Sequence, residues 1–264
     1  MFGGLIGSTN PTGTDLGERM LNAVASQSIR HLFTQSEFVE VSVRCYPSSK
    51  LLQGSIDSFK MSGRGLVIRR DFQVEDMSFE TDAVSIDPGS VLGGKIRLKQ
   101  STQAVAQVVL SEDGINRAFK AELVQKRLQN LGMEALTNLS GGEPVSFRDV
   151  HLQLLPENRV KIMAKTDLPN RSHIPIQLTA AIAVEKRRRI LFQNPKFDPE
   201  GVPADLKGLS ETLTNAFATV LNSMVDLDKF DLDGVMLRVN RLETHGKKLI
   251  FSGYAQVDHF PGNG

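Results

Sequence analysis

The sequence predicts an α+β protein: a long, curved, mainly antiparallel sheet covered on one face by helices, one of them long and amphipathic. Three observations carry that expectation. Apolar residues alternate with polar ones over many short stretches, most cleanly at Ile174, Ile176, Leu178, Ala180, Ile182 and Val184, the period of a strand with one buried face. Short turns, not crossover helices, join these stretches, which favours antiparallel neighbours. One segment, about 205–225, places Leu206, Leu209, Leu213, Phe217, Val220, Leu221 and Met224 on a single helical stripe. The domain organisation expected is a flexible N-terminus over 1–13, one elongated unit over 14–258, and a tail over 259–264.

The elements follow in order. Thr14 or Asp15 caps a first helix running to about Gln35, with Leu16, Met20, Val24, Leu32 and Phe33 near helical spacing. Phe38 to Tyr46 alternates as a half-buried strand that Pro47 ends. Shorter strands are expected around 54–62, 64–70, 72–80 and 83–87, then a turn at Asp87-Pro88-Gly89 and a longer strand over 94–110. Ser111 caps a second helix to about Leu131, with Ile115, Phe119, Leu123 and Leu128 on its apolar face. Gly141-Gly142 and Pro144 mark a break before strands at about 145–155, 158–167, 172–185 and 188–194. The stripe helix comes next, and strands at about 232–242 and 248–257 flank a His245-Gly246 turn.

Composition excludes several function classes. Lys and Arg number 31 against 30 Asp and Glu, a net charge of +1; nucleic-acid binders need a basic excess to gain from counterion release. There is no Trp and only 2 Tyr for base stacking. The single Cys45 cannot form an internal disulfide and reads as a small buried hydrophobe. The opening Met1-Phe2-Gly3-Gly4-Leu5-Ile6-Gly7-Ser8 has neither a basic n-region nor a long apolar h-region. No run of about 18 apolar residues exists to span a bilayer. The expectation is a cytoplasmic protein that touches a membrane only peripherally.

Motifs that suggest chemistry fail on spacing. Gly89 to Lys95 begins like a P-loop, but Ile96 stands where Ser or Thr should hold magnesium, and a strand rather than a helix is expected to follow. Gly63-Arg64-Gly65 is too short for a dinucleotide fingerprint and reads as backbone relief at a bulge or close approach. Asp226, Asp228, Asp231 and Asp233 lack the ligand spacing of a calcium loop. The five His do not pair at metal spacing, and no Gly-x-Ser-x-Gly elbow presents a nucleophile. No catalytic residue, metal or cofactor is therefore expected, and the protein is read as a non-enzyme. Lys186, Arg187, Arg188 and Arg189 form the one dense basic run, at a strand–strand turn; Arg64, Arg69 and Arg70 form a weaker one.

The stretch 63–119 carries a family resemblance. Gly63-Arg64-Gly65-Leu66 opens a strand, Ile86-Asp87-Pro88-Gly89 turns toward Gly94-Lys95-Ile96-Arg97-Leu98, and Leu110-Ser111-Glu112-Asp113 starts a helix containing Asn116-Arg117-Ala118. The pattern resembles the LmeA-like phospholipid-binding proteins of bacteria over about 15–255. The resemblance implies lipid binding and an antiparallel sheet curled around a helix, and supplies no catalytic residues.

The function expected is non-catalytic binding of a phospholipid, in lipid transfer or envelope maintenance. The groove candidates are Ile176 and Leu178 on the strand face and Leu206, Leu209, Leu213, Phe217, Val220, Leu221 and Met224 on the stripe. Lys186, Arg187, Arg188 and Arg189 are the head-group candidates, selecting an anionic phospholipid or a peripheral membrane surface. The alternative is a scaffolding protein with a filled core that acts through protein contacts.

Overall fold

Alternating apolar residues fold here into two main antiparallel sheets, where the sequence predicts a single curved one. The structure, a computed structural model, describes residues 16–30, 32–68, 72–93, 96–229 and 234–259. The elements are α1 (Leu16–Arg30), β1 (Phe38–Arg44), α2 (Ser49–Leu52), β2 (Ser55–Ile56), β3 (Ser58–Ile68), β4 (Phe72–Thr81), β5 (Val84–Ser85), α3 (Pro88–Leu92), β6 (Thr102–Ser111), α4 (Glu112–Ala118), α5 (Glu122–Gln125), α6 (Glu134–Ser140), β7 (Phe147–Leu155), β8 (Arg159–Leu168), β9 (Arg171–Glu185), β10 (Arg189–Phe197), α7 (Lys207–Met224), β11 (Val235–His245) and β12 (Lys248–Val257). A six-stranded sheet runs β1-β3-β4-β6-β12-β11, a four-stranded sheet β10-β9-β8-β7, and β2 pairs with β5. Every pairing is antiparallel.

Each main sheet buries one face under a helix. On the six-stranded sheet, Leu21, Ala25 and Ile29 of α1 pack with Val43, Phe59, Met61 and Leu66. The buried stripe of α1 is thus displaced from the one expected: Leu21 is fully buried and Met20 is 39% exposed. Positions 21, 25 and 29 keep an i, i+4, i+8 row on the sheet, while Met20 falls outside it. The proposed caps Thr14 and Asp15, like 1–13, lie outside the described residues.

On the four-stranded sheet, the apolar face of α7 covers β9 and β10. Leu213 and Phe217 are fully buried against Ile176 and Leu178, and the rings of Phe217 and Phe147 meet at 4.5 Å between centroids. Burial of each such side chain contributes about 1.5–3 kcal/mol. Ser210, buried on the same helix, donates to the Pro175 carbonyl. At 18 residues, α7 lies on one face of this sheet, and the six-stranded sheet packs on α1 instead. Leu110 of β6 touches both cores.

Two expected elements break up. Within the described part of the strand expected over 94–110, β6 begins only at Thr102, because Leu98 bridges Ile86 and Lys99 N donates to Ser85 O at 3.0 Å, holding 98–99 against β5. Before it Asp87 caps the short α3 by accepting from Gly89 N at 3.0 Å, and Pro88 takes its first turn. The helix from Ser111 to Leu131 is α4 and α5 with a turn between them; the Ser111 cap is present, its Oγ accepting from Gly114 N at 3.1 Å. The helix α6 was not anticipated; it ends at Gly141, whose φ of 73° suits the left-handed C-terminal position.

One asparagine amide sits on each of the four sheet edges. Asn22 of α1 bonds both backbone groups of Val43 on β1, and Asn222 of α7 does the same to Phe192 on β10. Asn116 of α4 does so to Leu152 on β7, and Asn158 accepts from Thr244 N on β11 while its own N–H donates to Thr244 Oγ1. Free edge groups are otherwise templates for further strands.

Candidate functional site

The helix α4 has two faces with different work. Glu112 and Asn116, one turn apart, face β7: Glu112 Oε2 accepts from Leu154 N at 2.8 Å, and the Asn116 amide spans Leu152 N (2.7 Å) and Leu152 O (2.9 Å). Glu112 is only 8% exposed, and its backbone N–H donates to Lys247 O. These contacts join the four-stranded sheet to β6 and β12. The other face, Ile115 and Ala118 with Phe119 beyond it, is half-buried and lines a cleft.

The cleft has a volume of about 150 Å³. Phe72 at the start of β4, Leu123 and Val124 of α5, and Met224 with Val225 at the end of α7 complete its apolar wall. Leu123 is 47% exposed, so the cleft opens at the α4–α5 corner. Arg127 is the one charged residue on the lining, and its Nη1 donates to Met224 O at 2.8 Å. Cations at a helix C-terminus satisfy carbonyls that have no partner within the helix. An enclosed apolar cavity of this volume holds a hydrocarbon of about benzene size, which sets the scale for what this half-open cleft can seat.

A larger concavity, about 720 Å³, lies on the open face of the six-stranded sheet. Its walls include Glu40, Ser42, Lys60, Ser62, Glu80 and Tyr254, with Lys60 paired to Glu80 at 2.5 Å. Met61, Phe79, Ala104 and Val105 share this lining, so its surface is mixed, and charged groups interrupt any apolar track across it. Among the described residues, no group of three or more His, Cys, Asp or Glu could hold a metal ion. No helix described is long and apolar enough to cross a membrane.

The residues singled out from the sequence are distributed as follows. Ile176, Leu178, Leu213 and Phe217 are 0% exposed, Leu221 2%, Val220 3% and Met224 8%, all in one packed cluster. Leu206 and Leu209 are half-buried at the start of the same stripe. Met224 alone of the nine also lines the cleft. Ile115, Phe119 and Leu123, read from the sequence only as a helix face, line it too; Phe72, Ala118, Val124, Arg127 and Val225 were not foreseen. Phe72 and Val225 come from elements distant in sequence, and no local pattern marks them.

The basic run divides in two. Lys186 and Arg187 are exposed at the β9–β10 turn, with φ of 49° and 61°, the left-handed pair that tight hairpins use. Arg188 bonds Asp228 at 2.5 Å, and Arg189 bonds Glu185 at 3.0 Å and Asn222 O at 3.3 Å. Asp228 also takes Arg238 at 2.6 Å, and these two guanidinium groups hold its carboxyl below the usual carboxylate range. Arg188 and Arg189 thus brace the end of α7. Arg64 pairs with Asp76 at 3.4 Å; Arg69 and Arg70, like Asp231, Asp233, Gly94 and Lys95, lie outside the described residues.

Gly65 has the close approach read from the sequence. Its φ is 58°, and a Cβ there would stand 2.5 Å from Glu37 Cδ. No curated protein and no solved structure matches the chain. A family model described as LmeA-like phospholipid-binding matches residues 12–253, nearly the whole chain, and the protein therefore belongs to the LmeA-like phospholipid-binding family.

Proposed function

We propose that the protein binds a phospholipid without chemistry on it, and that the cleft between α4, α5 and the end of α7 receives part of an acyl chain. The observation that carries this reading is the lining: eight apolar residues and Arg127, half-open at Leu123. Six methylenes, the hydrocarbon such a volume takes, contribute about 5 kcal/mol on leaving water. The stripe residues Leu213, Phe217, Val220 and Leu221 act in this proposal as the packed floor behind the site, with Met224 at the boundary. Residues 14–258 would work as one unit, in lipid transfer or envelope maintenance. A scaffold with a filled core is the second reading, and the packed α7–β9 interface is what favours it.

Native mass spectrometry of the purified protein, with lipid extraction of the same sample, tests the proposal. The wild type should carry a stoichiometric phospholipid. Leu123→Glu, a change at an exposed position, should fold normally and lose it. A variant that retains the lipid puts the ligand elsewhere. A wild type that is free of lipid and takes none from added vesicles overturns phospholipid binding and leaves the scaffold.

A further inference from the structure

We infer that the α4–α5 corner is a docking face for anionic bilayers, through which the cleft meets its lipid; this rests on the phospholipid-binding reading. Three observations converge on the corner. The first is size. A cleft of about 150 Å³ holds about six carbons, and a membrane phospholipid chain is longer than that. The remaining methylenes need an apolar surrounding while the first ones are seated. A bilayer supplies it if the mouth of the cleft rests on the membrane.

The second is the mouth itself. Leu123 is 47% exposed beside half-buried Phe119 and Val124. An exposed apolar residue at a corner, backed by an apolar cleft, suits shallow insertion between head groups.

The third is charge. Residues 117–127 hold Arg117, Lys120, Lys126 and Arg127 against Glu122 alone, a local excess of three positive charges on a chain whose net charge is +1. Lys126 is paired to Glu122 at 2.6 Å, and Arg127 faces Met224 O. Arg117 and Lys120 are exposed, without a carboxylate partner among the described residues. In sequence they bracket the lining residues Ala118 and Phe119, and neither lines the cleft itself. Each cation near an anionic surface improves partition several-fold. The β9–β10 turn is anchored at the same end of α7, since Leu227 N donates to Arg188 O at 2.8 Å; exposed Lys186 and Arg187 are the competing contact.

Co-sedimentation with vesicles tests the assignment. The wild type should bind phosphatidylcholine vesicles containing phosphatidylglycerol more tightly than phosphatidylcholine alone, with the difference shrinking as salt rises. Arg117→Ser with Lys120→Ser should weaken the anionic partition about 30-fold and leave the melting temperature unchanged. Lys186→Ser with Arg187→Ser should change it less. Wild-type binding by the first pair, or a larger loss from the second, overturns the docking face. The co-purified lipid is read separately by mass spectrometry. Bound lipid in a protein whose vesicle binding ignores Arg117 and Lys120 refutes the docking face alone; absence of both lipid and vesicle binding refutes the phospholipid reading as well.

Discussion

Replacing Asn116 by Ala removes one amide and leaves two backbone groups unpaired. The amide donates to Leu152 O at 2.9 Å and accepts from Leu152 N at 2.7 Å. Leu152 is 5% exposed and lies on β7, the edge of the four-stranded sheet, so water reaches these groups poorly. An orphaned buried donor or acceptor costs about 1–3 kcal/mol. Glu112 still holds Leu154 N, so the strand stays docked and the loss is local. The expected destabilisation is about 2–3 kcal/mol, and at about 2–4 °C per kcal/mol for a chain of this size the melting temperature falls by about 5–10 °C. Thermal and urea unfolding followed by circular dichroism measure it. Asn116→Asp keeps the acceptor for Leu152 N but turns a carboxylate toward Leu152 O, and should be no better than Ala. Asn138→Ala, at an exposed position on α6, is the control and should be near neutral. If Asn116→Ala melts within 1 °C of that control, the edge-clamp argument is wrong.

Gly65→Ala should lower stability by about 1–2 kcal/mol from its left-handed backbone alone, with a further penalty for displacing Glu37. Gly208→Ala, in the first turn of α7 with nothing within 4 Å of a new Cβ, should stabilise by about 0.5–1 kcal/mol; urea midpoints of the two variants should move in opposite directions. Asp228→Asn should cost stability at neutral pH and nothing in strong acid. Its folded pKa is depressed by Arg188 and Arg238, so its contribution is complete above the ordinary aspartate pKa and disappears as pH falls through the folded value. Melting curves at pH 7 and pH 3 check this, and an equal gap between wild type and variant at both would contradict it.

How much was legible in the sequence depended on whether the forces were local. The strands β7 to β10 were readable within a few residues because alternation such as Ile174 to Val184 is a local record of one buried face. The α7 stripe was readable for the same reason: Leu213, Phe217, Val220 and Leu221 are all buried. The division into two sheets was not. It rests on contacts between residues far apart in sequence, such as Asn116 of α4 on Leu152 of the β7 edge, 36 residues away. The inward pairing of Arg188 with Asp228, 40 residues away, was equally invisible, and a run of four cations read as an open patch. In consequence, exchanging Arg187, Arg188 and Arg189 together would loosen the end of α7 as well as change surface charge. Lys186 and Arg187 can be exchanged without that complication.

The cleft was half legible for an instructive reason. Ile115, Phe119 and Leu123 repeat every four residues and read as the buried face of one continuous helix. The chain turns after Ala118, so that face bends into a corner: Ile115 and Phe119 still pack against the core, and Leu123 is left 47% exposed. The motif that carries the family resemblance, Ser111-Glu112-Asp113 with Asn116-Arg117-Ala118, supplies the joint on one side of α4: a cap, a carboxylate and an amide, all bonded to backbone. Ile115 and Ala118 stand on the other side, over the cleft. A binding wall needs a fixed back, because apolar groups free to collapse inward would fill the space a ligand is meant to take. Glu112 and Asn116 hold α4 to β7, and in the proposed site this would keep the wall of Ile115 and Ala118 from closing the cleft. On the proposed reading the motif supplies mainly the joint behind the cleft, through Glu112 and Asn116, and one residue of its lining, Ala118.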